Sequence, residues 1–166
     1  GVGLEFARSS SVQARITQHG GIAFGNDSAA TNTLADYERG TWTPTVSNGA
    51  TSLSYGTRKG WYVKIGDFVH CSFYINFSAQ GDGNIFQLGG LPYNSNSDSP
   101  ISYSSGGNLS YNDCAFTNDA EQRLYVGNAA ANIYFYNNNA GAHSPAASII
   151  TTTSVISSNL YGFVFL

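Results

Sequence analysis

Residues 69–77 read Val-His-Cys-Ser-Phe-Tyr-Ile-Asn-Phe, so that Val69, Cys71, Phe73, Ile75 and Phe77 alternate without a break with His70, Ser72, Tyr74 and Asn76. A period of two cannot be a helix face; it puts the apolar set on one side of a strand and the polar set on the other. Such a strand is half-buried, in a two-layer structure, rather than covered on both faces. Just before it, Trp61, Val63 and Ile65 fall on one face and Tyr62 and Lys64 on the other. Gly66-Asp67 between the two runs is a two-residue turn, which forces the strands antiparallel.

The remainder of the chain keeps this character. Short strands are predicted at 42–46, 51–55, 84–88, 101–104, 109–111, 114–117, 124–126, 132–136 and 148–155, separated by Gly, Asn, Asp or Ser. Asn48-Gly49 reads as a hairpin turn, Arg58-Lys59-Gly60 as a turn, and Asn137-Asn138-Asn139-Ala140-Gly141 as a break. Residues 32–38 allow a short helical turn capped by Asn32 or Thr33. The final stretch, Tyr161-Gly162-Phe163-Val164-Phe165-Leu166, would be an aggregation hazard if left unpaired, so it is expected to lie inside a sheet or an interface. Strands about every ten residues with no convincing amphipathic helix predict an all-β, antiparallel β-sandwich of jelly-roll type.

Composition narrows what such a fold does. Charged residues make up 10% and aromatic residues 14% of the 166 residues; hydroxyls and amides therefore keep the surface wet, and the aromatic content is too high for disorder. The formal charge of −3, with seven Lys and Arg scattered along the chain, leaves no basic stripe for a nucleic-acid backbone. No apolar run approaches a membrane span and no signal-peptide pattern opens the chain, so neither nucleic acid nor membrane insertion is expected. Two cysteines, Cys71 and Cys114, are too few for a disulfide scaffold. Cys71 sits on the apolar face of its strand and reads as a buried thiol, although spacing alone leaves a bridge to Cys114 open.

Residues 1–33 behave differently. Leu4-Glu5-Phe6-Ala7-Arg8 and Val12-Gln13-Ala14-Arg15-Ile16-Thr17 alternate, but a single chain gives Phe6, Val12, Ile16, Ile22 and Phe24 nothing to pack on. Other copies of the chain are expected to supply the partner, against the alternative of a hairpin tucked onto the main domain. The chain opens Gly1-Val2-Gly3, without Met, and enters this segment at once, so it reads as the C-terminal part of a longer protein. Three regions follow: 1–33 as a segment completed by other copies, 34–44 as a linker or hinge, and 45–166 as a β-sandwich domain.

A family resemblance rests on four stretches: Gly20-Gly21-Ile22-Ala23-Phe24-Gly25-Asn26-Asp27, Leu34-Ala35-Asp36-Tyr37-Glu38-Arg39-Gly40-Thr41-Trp42-Thr43-Pro44, Gly60-Trp61-Tyr62-Val63-Lys64-Ile65-Gly66-Asp67-Phe68-Val69 and Gly90-Leu91-Pro92-Tyr93. In order and spacing they resemble the C-terminal region of bacteriophage tail fibres, with Ala35 and Arg39 where the family usually has Asp and Glu. The likeness covers residues 20–93. It implies a homotrimer continuous with the remainder of a tail fibre, with residues 1–33 as a shaft-like trimerisation segment and 45–166 as the β-sandwich tip, on the virion and outside the host cell, attaching it to a glycan or an outer-membrane receptor on the bacterial surface.

Catalytic patterns are sparse. The ten acids stand mostly in turn contexts, where carboxylates cap backbone N–H groups; Asp113 with Asp119 or Glu121 is the pair that a glycosidase reading would use. His19, His70 and His143 have no HxxxH or HxH spacing; His19 or His70 near a three-fold axis is the weak metal alternative. There is no nucleophile elbow, phosphate loop or EF-hand series. No enzyme activity, no cofactor and no metal are expected; a fibre-borne polysaccharide depolymerase and a purely structural trimerisation module are the alternatives. Sugar binding fits best at Ile133-Tyr134-Phe135-Tyr136-Asn137-Asn138-Asn139. If Ile133 and Phe135 face the core, Tyr134 and Tyr136 face outward beside the amides of Asn137, Asn138 and Asn139, with His143 close by. Packing of both tyrosines against a neighbouring subunit is the competing reading.

Overall fold

The computed structural model describes residues 3–17, 21–25, 33–34, 36–97, 103–112, 121–139, 142–145 and 156–166. Two compact units emerge, Gly1–Arg39 with Val63–Val69, and Gly40–Tyr62 with His70–Leu166. In the first, β1 (Glu5–Arg8), β2 (Ser11–Ile16) and β3 (Ile22–Phe24) form an antiparallel sheet in that order. Its register is strictly amphipathic. Leu4, Ile16, Ile22 and Leu34 make one row across the sheet, joined by Ile16 N–H to Leu4 C=O at 2.8 Å and by an isolated bridge from Ile22 to Leu34. Phe6, Ala14 and Phe24 make the next. Residues directly opposite share a face, so this face is apolar throughout, yet Leu4, Phe6, Ile16, Ile22, Phe24 and Leu34 are 42–63% exposed. The other face carries Glu5, Arg15 and Ala23 side by side, with Arg15 Nη1 3.8 Å from Glu5 Oε1.

Ten strands form the second sheet. They are β4 (Tyr37–Trp42), β5 (Thr45–Asn48), β6 (Ala50–Ile65), β7 (Phe68–Gly81), β8 (Gln87–Gly89), β9 (Tyr103–Asn112), β10 (Glu121–Gly127), β11 (Ile133–Asn139), β12 (Ala142–Pro145) and β13 (Ile156–Phe165). Nine lie in the order β4-β6-β7-β13-β9-β10-β11-β8-β5, and β12 pairs with β11. The two end strands β4 and β5 are joined through Thr43 and Pro44 alone, a connection that only a strongly curled sheet can make. The chain is thus all-β and antiparallel with a sandwich-like, curled architecture, as its periodicity predicts.

The concave side holds the core. On β7 the alternation is realised in full: Cys71, Phe73, Ile75, Phe77 and Ala79 are buried while His70, Ser72, Tyr74, Asn76 and Ser78 are half-exposed. Leu88, Leu124, Val126, Ile133, Phe135 and Val164 are buried from the facing strands. Phe86 ties this core together, stacked on Phe77 at 5.7 Å and edge-on to Phe135 at 5.0 Å. Cys71 is a free thiol, fully buried, and burial pushes its pKa up to about 12. Cys114 lies outside the described residues.

The turn at Gly66-Asp67 is present, with Gly66 at φ 59°, where the left-handed conformation favours glycine. β13 is internal: it pairs with β7 from Ile156 to Phe165 and with β9 from Asn159 to Val164, which removes the hazard of an apolar terminal strand.

Four local expectations are corrected. Residues 32–38 hold no helical turn among the described residues, because Leu34 bridges to Ile22 and Tyr37 opens β4. Asn48-Gly49 is a bend rather than a hairpin, since β5 pairs with β8 and not with β6. Arg58-Lys59-Gly60 runs straight through the middle of β6; a Cβ at residue 60 would collide with the Trp42 indole, so glycine serves close packing there rather than turning. Asn137–Asn139 continue β11 instead of breaking it. The strands predicted at 114–117 and 148–155 lie outside the described residues.

Candidate functional site

Alternation on β10 and β11 decides which groups leave the core. Leu124 opposes Phe135 and Val126 opposes Ile133, all four buried. The intervening pair, Tyr125 and Tyr134, is therefore on the convex face, as the sequence predicts for Tyr134. Their rings stack at 4.8 Å with planes 18° apart, and both side chains are half-exposed. On the other side of Tyr134 stands Gln87 of β8, which adds an amide to the aromatic surface.

The floor beneath this pair is fixed. A Cβ at residue 127 would stand in ordinary van der Waals contact with the Tyr134 ring and with Ala130. The loop at Ser95 clamps the turn that follows. Ser95 Oγ donates to the Gly127 carbonyl and accepts from Ala130 N–H at 3.1 Å, while Ser95 N–H donates to the Ala130 carbonyl at 3.0 Å. Ser95 is 5% exposed, and these bonds satisfy its otherwise costly buried hydroxyl.

Tyr136, Asn137, Asn138, Asn139 and His143 are described by backbone alone. Tyr136 opposes Arg123 and Pro145; Asn137 opposes Gln122 and Ser144; Asn138 opposes Glu121 and His143; Asn139 opposes Ala142. A strand pleat gives positions 134, 136 and 138 one face of β11 and positions 137 and 139 the other. The register thus sets Tyr134, Tyr136, Asn138 and His143 at positions of one face and separates Asn137 and Asn139 from them. Asp113 and Asp119 lie outside the described residues, as does His19. His70 lies against two rings of β13, 5.5 Å from Phe163 and 5.3 Å from Phe165. Among the described residues, no three His, Cys, Asp or Glu side chains gather as metal ligands would.

Sequence reasoning missed Tyr125 and Gln87. Tyr125 was visible as the outward member of Leu124-Tyr125-Val126, but that it meets Tyr134 is a fact of register between strands. It also missed a shallow cleft of about 220 Å³ where Gly162 separates Tyr161 from Phe163 beside Asn108 and Ser110 of β9.

No family model matches the chain, and no curated protein matches it. Among solved structures, the Dettilon tailspike protein matches with a TM-score of 0.58 and 19% identity over 82% of this chain. The matched region is 26% of the tailspike's own length. The chain therefore has a fold that also occurs within a phage tailspike.

Proposed function

We propose that the chain is the homotrimeric receptor-binding tip of a bacteriophage tail fibre, attaching the virion to a glycan on the bacterial surface, without hydrolysing it. The observation that carries the reading is the Tyr125–Tyr134 stack: two rings held outward on the convex face, flanked by an amide and braced from below. Aromatic faces bind the apolar faces of sugar rings, and amides beside them bond the hydroxyls. Tyr136, Asn137, Asn138, Asn139 and His143 are proposed to extend this surface. The tailspike fold likeness agrees with a place on the virion, outside the host cell.

Trimerisation through residues 1–33 agrees with the exposed apolar face of the β1-β2-β3 sheet. Burying its six large side chains, each about half exposed, would contribute roughly 5–9 kcal/mol per copy. Three copies also multiply a weak sugar site into useful avidity.

Attachment of the full chain to host cells tests the reading. Tyr134→Ala removes a stacking face and is expected to cut attachment at least about tenfold, while Tyr134→Phe retains it; sedimentation equilibrium should give a trimer for all three proteins. A wild-type chain that does not attach refutes the receptor role. Release of reducing ends from host polysaccharide refutes the non-enzymatic one.

A further inference from the structure

Rings of neighbouring strands fall into one row on the convex face. Tyr134 of β11 stacks on Tyr125 of β10 at 4.8 Å, the spacing of adjacent strands. Tyr125 opposes Gly106 of β9. The next position, Gly107, opposes Leu124 on one side and Val164 of β13 on the other, both of them buried. One step along the same antiparallel ladder therefore sets Phe165 beside Gly106 on the outward face. Phe165 in turn opposes His70 of β7, with the two rings 5.3 Å apart. The order across the sheet is Tyr134, Tyr125, Gly106, Phe165, His70, and only the β9 position of this row has no ring.

Glycine there leaves a slot one strand wide. Its walls, Tyr125 and Phe165, stand two strand spacings apart, about 9.6 Å, and each is backed on its far side by a second ring. A flat ring entering the slot would sit from either wall as Tyr134 sits from Tyr125. Tyr125 is half-exposed and Phe165 is 37% exposed, so both walls reach solvent. Gly107 has a different cause, since it faces the core, where a Cβ would collide with the Phe163 carbonyl and with Val164. Asn108, two positions from Gly106 on the same face and exposed, brings an amide beside the slot.

A slot with an aromatic wall on both sides makes a demand that a single stacking face does not. Both faces of the bound sugar must be apolar. A pyranose whose substituents are all equatorial meets this demand, because its two faces carry only axial C–H groups and its hydroxyls lie around the rim, where an amide can bond them. An axial hydroxyl would be pressed against one wall and lose its water without a partner.

We propose that a pyranose ring of the β-gluco configuration binds between Tyr125 and Phe165 over Gly106, with Asn108 bonding its rim, and that this slot selects against sugars with an axial ring hydroxyl. The proposal rests on the glycan reading above for its biological role and names the class of sugar that this face takes.

The probes are methyl β-D-glucopyranoside, methyl β-D-galactopyranoside and methyl β-D-mannopyranoside, the last two with one axial hydroxyl each, titrated into the full chain and followed by ligand-observed nuclear magnetic resonance. The glucoside should bind at least about fivefold tighter than either of the others. Gly106→Phe should fill the slot and abolish binding, with a melting temperature equal to or above that of wild type, because a glycine inside a strand is replaced by a ring between cross-strand rings. Phe165→Ala opens one wall, and should weaken the glucoside and bring the three affinities together. Equal binding of the three glycosides by wild type, binding of none, or undiminished binding by Gly106→Phe overturns the proposal. Dissociation of the trimer on Gly106→Phe also overturns it, since the slot then holds a side chain of another copy. Host-cell attachment separates the two claims. If wild type attaches and Gly106→Phe attaches equally well, the slot is not the sugar site while the receptor reading stands. If wild type fails to attach but prefers the glucoside and loses it on Gly106→Phe, the receptor reading falls and the slot stands.

Discussion

Deleting residues 163–166 removes the end of the strand at the middle of the sheet. Phe163, Val164 and Phe165 pair with Ser72, Cys71 and His70 of β7, and Phe163 and Val164 pair with Asn108 and Gly107 of β9. An antiparallel ladder makes on average one hydrogen bond per register pair, each worth about 0.5–1.5 kcal/mol net, so these pairings contribute roughly 5 kcal/mol. Val164 is fully buried, which adds about 1.5–3 kcal/mol. The sum, roughly 6–8 kcal/mol before any loss from the two partly buried phenylalanines, is comparable to the whole stability of a domain of this size, about 5–15 kcal/mol. The deletion also leaves β7 and β9 with bare edges. The truncated chain should be insoluble on expression, whereas Val164→Ala, which costs about 2–3 kcal/mol from transfer and cavity together, should fold and melt about 4–12 °C lower. Circular dichroism on the soluble fraction decides it. A truncated chain that is soluble and melts cooperatively would show that the ladder at the end of β13 is dispensable, and the reasoning fails.

Phe135→Ala should cost about 3–5 kcal/mol in chemical denaturation, because the ring is fully buried and closes the contact with Phe86; a loss below about 1 kcal/mol would mean that the core collapses around the gap. Phe24→Ser, on the exposed apolar face of the first unit, should weaken association of copies in sedimentation equilibrium without lowering the far-ultraviolet signal of the β-sheet; unchanged association would exclude that face as the contact. The Cys71 thiol should resist an aromatic disulfide reagent at pH 8 until the protein unfolds. Its folded pKa of about 12 lies above the unfolded value near 9, so the folded state holds the proton more tightly, and the stabilisation is complete below about pH 9 and lost as pH rises towards 12. Cys71→Ala should therefore flatten the decline of stability over that window, and an identical pH slope for both proteins would contradict the burial.

Where side-chain pattern and burial coincide, the fold was legible. The alternation of β7 gave its buried face residue by residue, and the apolar end of the chain implied an internal strand, because in both cases the information is carried by neighbours in sequence. Turn chemistry misled for the opposite reason. Gly60 and Asn137 to Asn139 have turn propensity, but propensity is worth little against strand pairing and close packing. Gly60 is there for the Trp42 indole, a contact eighteen positions away in the chain. Asn48-Gly49 bends the chain without making a hairpin, because β5 finds its partner in β8. The outward position of Tyr134 was readable, and its stacking partner was not. Tyr125 reaches it through a register that no local pattern encodes. The slot over Gly106 was hidden in the same way: its walls, Tyr125 and Phe165, come from strands far apart in the chain, set on either side of β9 by register.

The position of β13 joins these points. β7 and β9 are not hydrogen-bonded to each other in the final sheet; β13 lies between them and is the last strand of the chain. Without β13 the sheet would be two incomplete pieces, β4-β6-β7 and β9-β10-β11-β8-β5 with β12. The chain must bring together contacts as distant as Val164 with Cys71 and Thr45 with Gly89, and closure entropy has to be met before burial compensates it. The stacked tyrosines lie on the β10-β11 hairpin, while β13 joins the two pieces of the sheet, so the geometry of the stack and the stability of the sheet depend on different parts of the sequence. That separation is why substitutions on the convex face at Tyr134 are expected to alter binding with little effect on the fold, and substitutions on the buried face of β13 the reverse.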